Sequence, residues 1–91
     1  MRFETHPTPN PNSLKIIRAD GGAMMAPGMK SFTSFAEAAA DPLGILLFSI
    51  EGVTGVFALP AFVTLTKRPD ASWDTILPAA EAALAEIVLP G

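Results

Sequence analysis

Cysteine is absent from this 91-residue sequence, and histidine and tryptophan each occur only once. Without a thiol the chain can form no disulfide, and it can offer no thiolate to a metal centre. A metal site needs several converging ligands, and His6 has no second histidine and no cysteine to join it. We therefore predict no metal-binding residue and place His6 on an ordinary strand face.

Groups that could carry out catalysis are scarce as well. No serine is accompanied by a second histidine or by the glycine context of a nucleophile turn. The two glycines of EGVTGV (residues 51–56) lack the spacing of a phosphate-binding loop and do not lead into a helix. No pair of carboxylates has the spacing of a cation loop. We predict no catalytic residue and expect that the chain is not an enzyme.

Long apolar runs and dense basic patches are also missing. Residues 52–66 form an uncharged stretch too short for a membrane span of about 20 residues, and Pro60 interrupts it. No apolar run follows a basic N-terminal segment, so no signal peptide is predicted and a cytoplasmic location is expected. Because no basic patch is visible, we expect neither a nucleic-acid partner nor a membrane.

The net charge of −3 is unevenly distributed along the chain. Residues 1–30 carry four basic and two acidic side chains, whereas residues 31–91 carry two basic and seven acidic ones. Two interpretations stay open. The asymmetry is either ordinary surface charge or the mark of a weakly basic N-terminal hairpin that meets an acidic partner.

Alternation of apolar and polar residues predicts strands over residues 2–6, 13–19, 53–59 and 62–67. Residues 30–33 are predicted to be a brief strand or an extended entry to a helix. The last strand presents Val63 and Leu65 on one face and a more solvated set on the other, namely Phe62, Thr64 and Thr66. The glycine-rich residues 20–28 predict a loop that lays Met24 and Met25 over an edge of the core.

Capping residues define the first helical region. Ser34 with Glu37 forms a capping-box pattern that begins a short helix over residues 35–40. Asp41 followed by Pro42 predicts that the helix begins again there. Its apolar stripe consists of Leu43, Leu46, Leu47 and Ile50, and Gly52 is predicted to end it in the left-handed conformation.

The last helix follows a polar loop over residues 68–71. Ser72 is the predicted N-cap, and Trp73 begins an apolar helical stripe as an expected anchor of the core. Pro78 lies beyond the first turn, where it predicts a kink or an irregular turn. The element order predicts one α+β domain over residues 1–91. It is a two-layer β-β-α-β-β-α sandwich with an antiparallel or mixed four-stranded sheet and the helices on one face.

A stiff polar connection, PTPNPN (residues 7–12), joins the first two predicted strands. Its prolines cannot donate to a ladder, and the residues before them are held extended. Asn10 and Asn12 can bond their own backbone two residues further on. The connection either fixes the register of the first hairpin or presents a docking surface to a partner, and both interpretations stay open.

Five segments in this order and spacing resemble the N-terminal domain of the Nfu/NifU-like iron–sulfur scaffold proteins. They are TPNPNSLK (8–15), ADPL (40–43), IEGVTGVF (50–57), FVTLTK (62–67) and SWDTILP (72–78). The resemblance covers about residues 1–88 and is weakest over residues 20–30. In that family a second domain usually carries the C-x-x-C pair that binds the cluster. This chain has no cysteine, so it is either a stand-alone N-terminal domain or a fragment of a longer chain.

The resemblance implies a non-catalytic accessory or interaction module in iron–sulfur cluster assembly or delivery. It implies that this chain ligates no cofactor and meets a cluster only through a partner. That partner would be a C-x-x-C Nfu-type scaffold, a cluster donor or an apo-target protein. The candidate contact residues are Thr8, Asn10, Asn12 and Lys15, followed by Glu51 and Lys67. Two alternatives stay open, namely weak iron binding by carboxylates with His6 and a small enzyme with an unrecognised site.

Overall fold

The computed structural model describes residues 2–87, which form one five-stranded sheet and three helices. The strands are β1 (Phe3–Pro7), β2 (Ser13–Arg18), β3 (Lys30–Phe32), β4 (Val53–Ala58) and β5 (Val63–Lys67). The helices are α1 (Phe35–Ala38), α2 (Pro42–Phe48) and α3 (Trp73–Ile87). The predicted α+β class is confirmed. Within residues 2–87, no helix has the length and apolar character needed to cross a bilayer.

The strand order is β1-β2-β5-β4-β3, and every neighbouring pair is antiparallel. The predicted count of four strands was wrong by one, because residues 30–32 join the sheet. Their register pairs Lys30 with Ala58 and Phe32 with Val56 at the edge beyond β4. Three residues are too few to display an alternating pattern, and pairing with residues 24 to 28 positions later is not encoded locally.

The helices cover one face of the sheet, and the core lies between the two layers. Apolar side chains from β2, β4 and β5 meet those of α2 and α3 in a single buried cluster. The members with no exposed surface are Ile16, Met24, Leu47, Ala58, Val63, Leu65, Ala80 and Leu84. The opposite face of the sheet carries Thr64 and Thr66, which are only half-buried, as the alternation predicts.

The N-terminal caps of the two short helices are formed largely as predicted. Ser34 Oγ accepts a hydrogen bond from the Glu37 N–H at 3.2 Å. The Glu37 carboxylate accepts from the Thr33 N–H at 2.7 Å. Asp41 Oδ1 accepts from the N–H groups of Leu43 and Gly44 at 2.9 and 3.3 Å. The Ser34 hydroxyl and the Asp41 carboxylate satisfy N–H donors that helix termini leave open.

Two details of the first helical region differ from the prediction. Helix α1 stops at Ala38, and α2 stops at Phe48, with Ser49 as its C-cap. Gly52 has a φ of +98°, but it lies three residues past that cap, in the turn that enters β4. The assignment of Gly52 as the helix cap was therefore wrong. Helix α3 continues through Pro78, and Ser72 Oγ accepts from the Asp74 N–H at its start.

The glycine-rich loop of residues 20–28 is held by a buried cation. Arg18, at 7% exposure, donates to both carboxylate oxygens of Asp20 at 2.9 and 2.7 Å and to the Ala23 carbonyl at 3.2 Å. This clamp brings Met24 into the core, where its N–H donates to the Pro60 carbonyl at 2.7 Å. The expected cover of the core edge is confirmed: Met24 is fully buried, and Met25 packs beside the buried cluster.

Candidate functional site

The connection between β1 and β2, residues 8–12, is folded by its own polar side chains, and we call it the corner. The Thr8 hydroxyl lies 2.8 Å from the Asn10 carbonyl and 3.0 Å from the Ser13 carbonyl, and it accepts from the Asn10 N–H at 3.2 Å. With one proton, the hydroxyl donates to one carbonyl at a time. Asn10 Oδ1 accepts from the Asn12 N–H at 2.9 Å, which is the expected asparagine turn.

The corner is attached to the end of β5 through Asn12 and Lys67. The Asn12 carbonyl accepts from the Lys67 N–H at 2.8 Å, which extends the ladder between β2 and β5. The Lys67 ammonium donates to Asn12 Oδ1 at 3.1 Å and to the Arg68 carbonyl at 3.2 Å. Because Lys67 is only 8% exposed, these bonds satisfy a charge that is largely removed from water.

Trp73 makes a second attachment between the corner and the helical layer. Its indole Nε1 donates to the Pro11 carbonyl at 3.3 Å, and its ring lies 5.8 Å from the Lys67 ammonium. The expected core anchor is therefore a half-buried residue that packs beside the core and holds the corner. The apolar stripe correctly predicted the side of α3 on which Trp73 lies, but no local sequence pattern predicts its contact with Pro11.

Lys15 lies apart from this network, on the sheet face that no helix covers. It pairs with His6 on β1 and Thr64 on β5, and its ammonium lies 5.1 Å from the centroid of the Phe62 ring. Cation–π contacts of this kind hold a lysine over an aromatic face. The structure thus places Lys15 beside Phe62, an aromatic residue that was not among the predicted contact residues.

Glu51 lies in the turn before β4, at the same end of the sheet as the corner. Its side chain is 93% exposed and its carboxylate is 3.9 Å from the Arg68 guanidinium. The Arg68 N–H donates to the Gly52 carbonyl at 2.8 Å, so this turn is tied to the end of β5. An exposed ion pair of this length contributes little to folding, which leaves Glu51 accessible to other molecules.

Four of the six candidate residues use side-chain polar atoms within the fold, namely Thr8, Asn10, Asn12 and Lys67. The side chains of Asn10 and Glu51 are exposed, and Lys15 lies on the uncovered sheet face. Residues that the candidate list missed are Ile17, Phe57 and Phe62, which are half-buried on that same face. In the sequence, these three residues could have been found because they alternate with the buried residues of β2, β4 and β5.

His6 was the one imidazole considered for iron. Its Nε2 lies 3.6 Å from Glu4 Oε1 on exposed strand β1. Within residues 2–87 no group of three or more histidine or carboxylate side chains comes close enough to hold a metal ion. The pair therefore has fewer ligands than a protein metal site ordinarily uses.

The carboxyl groups with shifted pKa values all serve the fold. The hydrogen bonds from Arg18 and then from the Gly22 N–H lower the pKa of Asp20, and the Thr33 N–H lowers the pKa of Glu37. Burial alone would raise the pKa of Asp41. The hydrogen bond from Lys30 at 2.6 Å and the N–H groups of α2 outweigh that burial and leave the pKa lowered.

Comparison with known proteins gives one consistent family. A sequence model described as "Scaffold protein Nfu/NifU N terminal" matches residues 3–91. "NifU-like protein 4, mitochondrial" from Arabidopsis thaliana is 37% identical over 91 residues, covering 100% of this chain and 31% of that protein. "NFU1 iron-sulfur cluster scaffold homolog, mitochondrial" from Homo sapiens is 37% identical over 92 residues, covering 100% of this chain and 35% of that protein.

A solved structure agrees with the fold. The solution NMR structure of a NifU-like protein from Saccharomyces cerevisiae has a TM-score of 0.79 and 24% identity, over 93% of this chain and 76% of that chain. At this identity the likeness concerns the fold alone. The chain spans about a third of the length of the curated relatives it matches.

Proposed function

The chain belongs to the family of Nfu/NifU scaffold N-terminal domains, and from this membership we propose that it is a non-catalytic interaction module in iron–sulfur cluster assembly or delivery. In this proposal the chain holds no cluster itself. It brings a cluster-carrying partner, a cluster donor or an apo-target protein into position. The observation that carries the proposal is the family match over residues 3–91 of a chain without cysteine.

The names of the relatives and the chemistry of the chain support this role together. The human relative is named an iron–sulfur cluster scaffold homolog, and it is about three times as long as this chain. Clusters are held by cysteine thiolates, which this chain does not have. A member of a cluster-scaffold family that supplies no thiolate contributes through contacts with other proteins.

The geometry supports a rigid contact module rather than a mobile one. Hydrogen bonds among Thr8, Asn10 and Asn12 close the corner, and Lys67 of β5 and Trp73 of α3 hold it from outside. A surface held in one conformation loses little entropy when a partner binds. Among the candidates we propose that Asn10, Lys15 and Glu51 contact the partner, and that Thr8, Asn12 and Lys67 fix the shape of that surface.

An amide-shift NMR titration tests the proposal. The labelled chain is titrated with a separately produced C-x-x-C Nfu domain, first without a cluster and then loaded with one. We expect localised, saturable shifts and no transfer of cluster absorbance to the labelled chain. The absence of shifts anywhere with both forms would contradict partnership with that scaffold, and donor and apo-target proteins would be tested next.

Iron binding by His6 and carboxylates has a separate test. Anaerobic titration with Fe²⁺ should give no saturable binding below about 1 mM, the range of weak oxygen-ligand sites. If Fe²⁺ bound saturably at a lower concentration and the His6→Ala variant lost that binding, a role in iron delivery would be favoured over the proposed interaction role. The matched control is Thr5→Ala, which changes an exposed neighbour on the same strand without removing an imidazole.

A further inference from the structure

The sheet face opposite the helices forms a second surface, which we call the open face. One row crosses all five strands and consists of His6, Lys15, Thr64, Phe57 and Ser31. The row nearest the corner has only small side chains, from Ser13, Thr66 and Gly55. No helix among residues 2–87 packs on this face, since α2 and α3 meet the sheet from the core side.

An apolar group lies beside Lys15 on the open face. The rings of Phe57 and Phe62 are 6.2 Å apart at an angle of 45°, and Ile17 lies on β2 on the same face. All three side chains are half-buried without reaching the core. Apolar surface in this position is stabilised when a partner covers it.

A positive charge stands beside this apolar group. Among residues 2–87, none of the ion pairs shorter than 4.0 Å involves Lys15, whose close contact is the Phe62 ring. Eight of the nine acidic residues lie in helices, loops or turns, and only Glu4 lies in a strand. Glu4 is at the edge of the sheet, where it faces His6 at 3.6 Å. The centre of the open face is therefore positive, whereas the chain as a whole is negative.

We infer that the open face, centred on Lys15 and Phe62, binds an amphipathic acidic helix of a protein partner. A carboxylate of that helix pairs with the Lys15 ammonium, and an apolar side chain one turn away covers the Phe57–Phe62 pair. The inference rests on the proposed interaction role and names the surface and the chemistry of the partner.

Spacing and shape favour a helix as the occupant. The Lys15 ammonium is 5.1 Å from the Phe62 ring centre, and neighbouring residues on one helical face are about 5–6 Å apart. An acidic residue and an apolar residue at i and i+4 therefore match the two features at once. The small side chains of Ser13, Thr66 and Gly55 leave a flat area beside them along which the helix backbone can lie.

Two probes test the inference by amide-shift NMR. The first is the C-x-x-C Nfu domain. The second is a designed helical peptide of roughly 20 residues, long enough to hold a helix, with Glu and Leu at i and i+4 on one face. A twin peptide has Lys in place of Glu. We expect shifts on Lys15, Ile17, Phe57 and Phe62, with the acidic peptide at least about tenfold tighter than its twin and weakened by salt.

Variants of the labelled chain identify the contact. Lys15→Glu should weaken both probes by about tenfold, because it opposes like charges. Arg68→Glu changes the net charge equally in the exposed loop after β5, away from the open face, and should leave the affinity for the acidic peptide unchanged. Phe62→Thr should weaken binding without reversing the preference between the peptides. Thermal unfolding confirms that each variant is folded before it is titrated.

The outcomes separate this inference from the proposed function. Shifts from the C-x-x-C domain that lie only on the corner or the helical layer would keep the interaction role and overturn the open face as its site. Shifts on the open face with the acidic peptide but not with the C-x-x-C domain would support the surface and point to a different partner. No open-face shifts with either probe, or equal affinity for both peptides, would overturn the inference.

Discussion

The corner and the open face are adjacent, and they use polar residues in opposite ways. Beside the corner, Lys67 is 8% exposed, and its ammonium donates to Asn12 Oδ1 and to the Arg68 carbonyl. On the open face, the Lys15 ammonium lies over an aromatic ring without a carboxylate partner in the described chain. One lysine completes the fold, while the other remains available. The side chains of the corner thus make several hydrogen bonds within the fold, whereas in our proposal the strands of the open face present the surface for binding.

The largest expected effect on stability comes from replacing Lys67, the lysine that is bonded within the fold. Lys67→Met keeps the apolar stem but leaves Asn12 Oδ1 and the Arg68 carbonyl without their charged donor. Hydrogen bonds to charged groups contribute about 1.5–3 kcal/mol, so we expect the free energy of unfolding to fall by about 2 kcal/mol. Urea unfolding at pH 7 measures the change. A loss below about 0.5 kcal/mol would mean that the corner is not held through Lys67.

Trp73 sharpens the comparison by testing the second attachment of the corner. Trp73→Phe keeps an aromatic ring beside Lys67 and removes the indole N–H that donates to the Pro11 carbonyl, together with a part of the ring that packs beside the core. We expect a loss of about 1 kcal/mol, the usual net contribution of one neutral hydrogen bond. Amide shifts in the variant should change at residues 10–12 and stay constant for Phe57. Changes that spread through the open face instead would show that the two regions are not independent.

Asp41, which caps α2, belongs to neither the corner nor the open face. We expect its contribution to the free energy of unfolding to be smaller and to change only at acidic pH. Its folded-state pKa is lowered, so its contribution to stability is present above the unfolded-state pKa and is lost as pH falls through the folded value. The free energy of unfolding should therefore decline below about pH 4, and Asp41→Asn should flatten that decline. Urea titrations at several pH values provide the measurement, with Asp74→Asn as the control. Equal slopes for the two variants would show that Asp41 does not contribute to the loss of stability in acid.

The smallest effect on stability belongs to Lys15. Lys15→Met should change the free energy of unfolding by less than about 1 kcal/mol, because only an exposed cation–π contact is lost. The same variant should nevertheless weaken binding of the acidic peptide. A stability loss as large as that of Lys67→Met would assign Lys15 to the fold, and the contrast between the two lysines would disappear.

Local chemistry predicted much of the fold and less of the site. Ser34 and Asp41 marked helix starts correctly because a cap is decided within four residues. Alternation in β5 separated the buried Val63 and Leu65 from the threonine face. The pairing of β3 with β4 was not readable, because a three-residue edge strand takes its place from a distant neighbour. The burial of Lys67 was missed for the same reason, since its acceptor Asn12 is 55 residues away.

The two attachments of the corner also have a kinetic consequence. Lys67 and Trp73 reach back over 55 and 62 residues, and β2 has β5 as its inner neighbour. During synthesis from the N-terminus, the first hairpin therefore emerges long before the groups that lock its turn. Contacts over such separations slow folding, because a long loop must close before they form. The first hairpin should be among the last parts of the molecule to gain protection from hydrogen exchange, although it is made before the segments that hold its turn.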